Sequence, residues 1–142
     1  MTVHFPSDVG TSDRDMELVR ALLLFFATKK GRAAVRHQDI RIEGWDANTH
    51  SFDYYCLMLY QAGFLNAEPI LSANGRVIDV VPFDLTWQGH EFLAPIRDDA
   101  TWRKTKAVAK ELGALSVETI RSALKSALSK KIRDLTGGEF TL

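Results

Sequence analysis

The stretch from Leu85 to Trp102 constrains this chain more than any other. Before it, apolar residues recur at both helical and strand spacing; after it, at helical spacing alone. Thr86 can cap a following helix, because its hydroxyl can accept an N–H of the first turn. Gly89, Phe92, Leu93 and Ile96 then fall on one helical face. A glycine on a packed face lets backbone approach backbone. Gly89 is therefore expected to seat this helix tightly on the first helix of the chain. Pro95 inside a helix removes one backbone bond at a cost of about 3 kcal/mol. A break at Ala94-Pro95 is expected, with a new helix running to about Leu112.

The segments on either side follow from the same rules. Residues 1–11 read as a loose leader, with no basic region followed by an apolar core of the signal-peptide kind. Ser12 is a good cap for a first helix, with Met16, Val19, Leu22, Leu23 and Phe26 on one stripe. Lys29 and Lys30 fit its end and Gly31 stops it. Asp39-Ile40-Arg41-Ile42-Glu43 alternates polar and apolar, which predicts a short strand. A helix follows the Gly44-Trp45 turn, capped by Asp46 or Asn48, with Phe52, Tyr55, Cys56 and Leu59 inside. It ends at Gly63. Phe64 to Leu71 and Arg76 to Phe83 read as two strands joined by Ser72-Ala73-Asn74-Gly75, where Asn-Gly is a strong hairpin signal. Ser116 caps a last helix with Val117, Ile120, Leu124, Leu128, Ile132 and Leu135 on one stripe.

This order suggests an α+β fold: a winged-helix-like domain over residues 12–96 (helix, short strand, helix, two-stranded wing) and a C-terminal helical extension over 97–142. The 142 residues suffice for one domain with an extension, and for a core without covalent staples. Cys56 is the single cysteine, so intramolecular disulfides and thiolate metal clusters are excluded. No apolar run approaches the roughly 18 residues of a membrane span, and the expected setting is the cytoplasm. Charge is zero overall but polarised. Residues 1–96 hold 8 Lys+Arg against 12 Asp+Glu, and residues 97–142 hold 10 against 6.

Arg14-Asp15-Met16-Glu17-Leu18-Val19-Arg20, Ala62-Gly63-Phe64-Leu65 and the Leu85–Leu93 segment with Ile96-Arg97-Asp98-Asp99 and Trp102 occur in an order that resembles an uncharacterised family of small bacterial and phage proteins, domain of unknown function 2513. The match runs from residue 14 to about residue 112. Tyr55 stands where that family often has His, and Pro95 where it usually has a helix former. The resemblance implies a shared winged-helix-like fold and a bacterial or phage setting. It supplies no catalytic residue.

Few residues offer chemistry. His90-Glu91 with Asp98-Asp99 could make a general base oriented by a carboxylate, but lying on successive turns they read more simply as surface pairs and caps. His37, Asp39 and Glu43 lack metal-ligand spacing. No cofactor, metal or catalytic site is expected, and the chain reads as a non-enzymatic binding module. Trp45, Trp87 and Trp102 complete the core or leave an open apolar patch, and the core is preferred because Trp is highly buried on average. As a DNA-associated regulator the chain would use Lys29, Lys30, Arg32, Arg36 and Arg76 on phosphate, with His50, Tyr54 and Gln61 on the outer face of the second helix. That helix face has no Lys or Arg, and the acidic charge of this half opposes DNA. The alternative is a protein-interaction module that binds no DNA, an accessory of phage or host defence. A homodimer through Leu128, Ile132 and Leu135 is a further expectation.

Overall fold

The computed structural model describes residues 15–42, 45 and 49–136, with the backbone alone at 49 and 50. The leader at 1–11, Ser12, Glu43, Gly44, Asp46, Asn48 and the His50 side chain lie outside the described residues. The fold is α+β: among the described residues there are five α-helices and one two-stranded antiparallel sheet. The chain divides into two compact units, Met1–Ala94 and Pro95–Leu142. Among the described residues, no helix is long and apolar enough to cross a membrane.

In the first unit, α1 spans Met16–Thr28 and buries Met16, Leu18, Val19, Leu22, Leu23 and Phe26. Its cap is Asp15, which accepts the Leu18 N–H at 3.2 Å, so the helix starts later than Ser12 would place it. The Asp15 N–H in turn donates to the hydroxyl of fully buried Tyr55, tying the start of α1 to the second helix. Gly31, at φ +77, turns the chain after α1.

The strand expected at 39–43 does not form among the described residues. A single 3-10 turn occupies His37–Asp39, followed by one isolated bridge between Ile42 and Trp45. The Asp39 carboxylate accepts the Arg36 N–H at 2.9 Å, and this local bond closes the turn in place of an extended backbone.

Helix α2 spans Thr49–Gln61 and buries Ser51, Phe52, Tyr55, Cys56 and Leu59. It ends in a Schellman arrangement: Gly63, at φ +84, donates to the Tyr60 carbonyl and Phe64 to the Leu59 carbonyl. Strands β1, Leu65–Leu71, and β2, Val77–Leu85, then form the hairpin. Its turn is not the two-residue type that Asn-Gly most often signals. That turn needs positive φ at both central residues, and of the two only Gly75 has it, at +84. The Gly75 N–H donates to the Ser72 carbonyl and the Ser72 N–H to the Arg76 carbonyl, which is a three-residue loop with a glycine bulge. Two further irregularities, at Asn66/Ala67 and Ile70/Leu71, offset the register. The first lies beside Pro82, which has no N–H to give a ladder.

Helix α3, Trp87–Leu93, follows β2 directly. Thr86 caps it, accepting the Gly89 N–H at 3.0 Å. Its hydroxyl also donates to the Gly63 carbonyl and its N–H to the Phe64 carbonyl. One residue thus fastens the end of β2 to the end of α2. Gly89, Phe92, Leu93 and Ile96 are all buried, as their spacing predicts. The close approach at Gly89 has a different partner from the expected one. A Cβ there would overlap the Phe64 carbonyl oxygen and lie 3.2 Å from Leu85 Cβ. The helix does pack against α1, but Gly89 is needed for the backbone at Phe64.

The expected break appears as a 3-10 turn at Ala94–Ile96. The second unit follows with α4, Asp99–Glu111, and α5, Val117–Leu135, packed on each other. Ser116 caps α5 through a reciprocal box with Thr119. Of the α5 stripe only Ile120 is buried, joined by Ala123. Val117, Leu124 and Ile132 are half-buried, while Leu128 and Leu135 are exposed.

Candidate functional site

The cations proposed for phosphate contact fall in two places, Lys29, Lys30, Arg32 and Arg36 in the loop after α1 and Arg76 at the hairpin turn. Arg32 donates to the Asp84 carboxylate at 2.9 Å, at the base of the hairpin. The other oxygen of Asp84 accepts from Asn66, so Asp84 links the loop after α1 to β1. Lys29 turns back to the Gly31 carbonyl at 2.9 Å. Lys30 and Arg36 are exposed on the same loop. Arg76 sits at the far end of the hairpin, roughly 26 Å along the strand from Asp84 at about 3.3 Å per residue. On α2, Tyr54 is exposed and meets Tyr55 edge-on, and Gln61 is exposed at the last turn. His50 lies on α2 with its side chain outside the described residues.

His90 and Glu91 are exposed on α3, and Asp98 and Asp99 are exposed at the start of α4. Asp98 caps α4, and its carboxylate accepts both the N–H and the hydroxyl of Thr101, at 2.8 and 2.9 Å. Those bonds, with smaller help from Arg103 and Lys104, hold its pKa below the ordinary 3.8. A carboxylate held down in this way stabilises the fold above the unfolded value and loses that contribution as pH falls through the folded one. The acid limb of thermal stability is therefore expected to flatten in Asp98→Asn. A carboxyl NMR titration of the wild type is expected to place Asp98 below the ordinary 3.8; a midpoint at or above that value would contradict the cap. Cys56 is fully buried, and burial, then the charges of Asp53 and Asp79, pushes its thiol far up, so it supplies no thiolate. Among the described residues, no group of three or more His, Cys, Asp or Glu could hold a metal ion.

The tryptophans divide. Trp45 and Trp102 are buried, whereas Trp87 is 78% exposed. Trp102 carries the Lys106 ammonium 5.3 Å above its ring.

One exposed apolar surface is one that sequence reasoning passed over. The half of the hairpin near its turn exposes Ile70, Leu71, Val77 and Ile78, with Leu71 and Ile78 at 55% and 57%. Ile78 is the extra residue at the bulge, because Ile70 pairs with Asp79 and Leu71 with Val77. Bulges re-aim side chains in this way. The base half, by contrast, buries Leu65, Val80 and Leu85. A signal existed: Ile70-Leu71 and Val77-Ile78 flank the turn without the polar alternation of a one-sided strand. That pattern fits a strand covered on both faces, and here the ends of the two strands are left exposed among the described residues.

A family model described as "Hypothetical protein (DUF2513)" matches residues 13–116, more than half of the chain. An uncharacterized protein of Haemophilus influenzae is 29% identical over 120 residues, which span 84% of this chain and 98% of that protein. No solved structure matches.

Proposed function

Since the chain belongs to the DUF2513 family of hypothetical proteins, and that family prescribes no chemistry, we propose from its surface that it is a non-enzymatic, winged-helix-like module that binds a protein partner through the outer half of its hairpin. The observation carrying this reading is the exposed aliphatic cluster Ile70, Leu71, Val77 and Ile78. Solvent-facing aliphatic groups at the end of a projecting element add nothing to phosphate binding, which depends on cations. They do suit the fully desolvated centre of a protein interface. The helix–helix–hairpin order supports the winged-helix description, and the Haemophilus relative supports a bacterial setting. A cytoplasmic location suits the lone, buried thiol of Cys56.

DNA regulation by this first unit has less support. Arg76 is the one cation of the hairpin, Lys30 and Arg36 lie in the loop after α1, and Arg32 is already paired. Self-association through Leu128, Ile132 and Leu135 draws support from the exposure of Leu128 and Leu135. Lys125, Lys130, Lys131 and Arg133 on the same helix oppose a symmetric pairing.

The test uses Ile78→Asp, whose side chain is exposed enough for the fold to tolerate it. Nuclease-treated bacterial lysate passed over wild-type protein is expected to yield a partner, and purified partner to bind Ile78→Asp at least tenfold more weakly, as at an interface hot spot of about 1.4 kcal/mol or more. Equal binding by a folded Ile78→Asp would remove the hairpin from the interface. Light scattering on the same two proteins separates self-association from a foreign partner.

A further inference from the structure

We propose that α4 carries a binding surface for the phosphate backbone of nucleic acid, built from Arg103, Lys106 and Lys110. The inference is independent of the hairpin. These residues lie at i, i+3 and i+7 on a regular helix, so they form one strip about 60° wide. Over seven residues the helix rises about 10 Å, which faces about three successive phosphates of one strand at roughly 3.4 Å each along the duplex axis.

The strip is prepared for such a ligand. Arg103 and Lys110 are exposed. Lys106 is half-buried, its ammonium held over the buried Trp102 ring at 5.3 Å, so little side-chain freedom remains to be lost on binding. Asp99 and the capping Asp98 place negative charge at the head of the strip, so the phosphate contacts are assigned to its middle and far end, and Glu111 lies about 100° round the helix from Lys110. Lys125, Lys130, Lys131 and Arg133 add exposed positive charge on α5 against Glu118 and Asp134. From Pro95 to Leu142 there are 10 Lys+Arg to 6 Asp+Glu, while the first 94 residues hold 8 to 12. A polyanion is drawn to the second unit and repelled by the first, the reverse of what a winged-helix layout alone would suggest.

Fluorescence anisotropy of a labelled short duplex with the full chain tests this. Three phosphate contacts predict a log–log salt slope of roughly −2.7, or about fortyfold weaker binding between about 50 and 200 mM salt. Lys110→Ala is expected to make the slope shallower by roughly 0.9. Arg103→Glu/Lys110→Glu is expected to abolish binding with helical content retained by circular dichroism. Arg36→Ala/Arg76→Ala, in the first unit, and Ile78→Asp are expected to leave affinity within twofold. The proposal is overturned if wild type does not bind at low salt, if binding survives the α4 double reversal, or if Arg36→Ala/Arg76→Ala removes it. Equal or tighter binding to vesicles containing phosphatidylserine at matched phosphate would overturn it too, in favour of a lipid surface.

Discussion

Gly89→Leu is expected to destabilise the protein by about 3 kcal/mol, the upper end for an overpacked core, and to lower the melting temperature by on the order of 10 °C. The reason lies in what surrounds the missing side chain. A Cβ would overlap the Phe64 carbonyl oxygen and press on Leu85. That oxygen cannot withdraw, because it accepts the Thr86 N–H at 3.0 Å. The helix cannot withdraw either, because the Gly89 N–H is bound to the Thr86 hydroxyl, which is bound to Gly63. Gly89→Ala gives the sharper test. In an ordinary helix interior the change from Gly to Ala stabilises by about 0.5–1 kcal/mol. Here it is expected to destabilise. A melting temperature equal to or above wild type in Gly89→Ala would show that the two backbones can part without cost.

Phe64→Ala is expected to cost about 3–5 kcal/mol, the range for truncating a fully buried aromatic residue. Phe64 is wholly buried and stacks on Phe92 with ring centroids 4.8 Å apart and planes at 22°. It also closes the turn after α2, so the cavity would open beside backbone already fixed by Gly63 and Thr86. That leaves little room to collapse. Denaturant unfolding of Phe64→Ala, Phe92→Ala and the double variant is expected to give a coupling of about 0.5–1.5 kcal/mol. Trp87→Ala is the contrasting case. Its ring is 78% exposed, and the change should stay within about 0.5 kcal/mol. A loss at Trp87 matching that at Phe64 would contradict this packing.

Much of the fold can be read from the residues because local signals and packing agree. The α1 stripe, the Thr86 and Ser116 caps, the hairpin and the break at Pro95 each have a short-range cause. The misreadings share another origin. Alternation at 39–43 indicates a strand only if a neighbour supplies a ladder, and a bond from Arg36 to Asp39 is nearer at hand. The stripe on α5 gives a direction but not a length. At 19 residues, α5 outruns the 13-residue α4 by roughly 9 Å of helix, and Leu128 and Leu135 emerge where α4 has ended. Candidate surfaces are harder still. Lys29, Arg32 and Arg76 look equivalent in a sequence, yet one is folded back on its own loop, one is paired with Asp84, and one stands at a turn. The aliphatic tip of the hairpin has the same composition as a buried strand, and only its exposure among the described residues distinguishes it.

The Thr86 hydroxyl bonded to Gly63 joins positions 23 residues apart, and everything between them is the hairpin with its two short approaches. The chain is pinched shut at that point, so the loop beyond it is closed whatever its length. Closing a longer loop costs only about 0.6 kcal/mol per doubling. The reach of this arm is thereby separated from the soundness of the body that carries it. Residues added to or removed from the arm in pairs are therefore expected to leave the packing at Phe64, Thr86 and Gly89 unchanged.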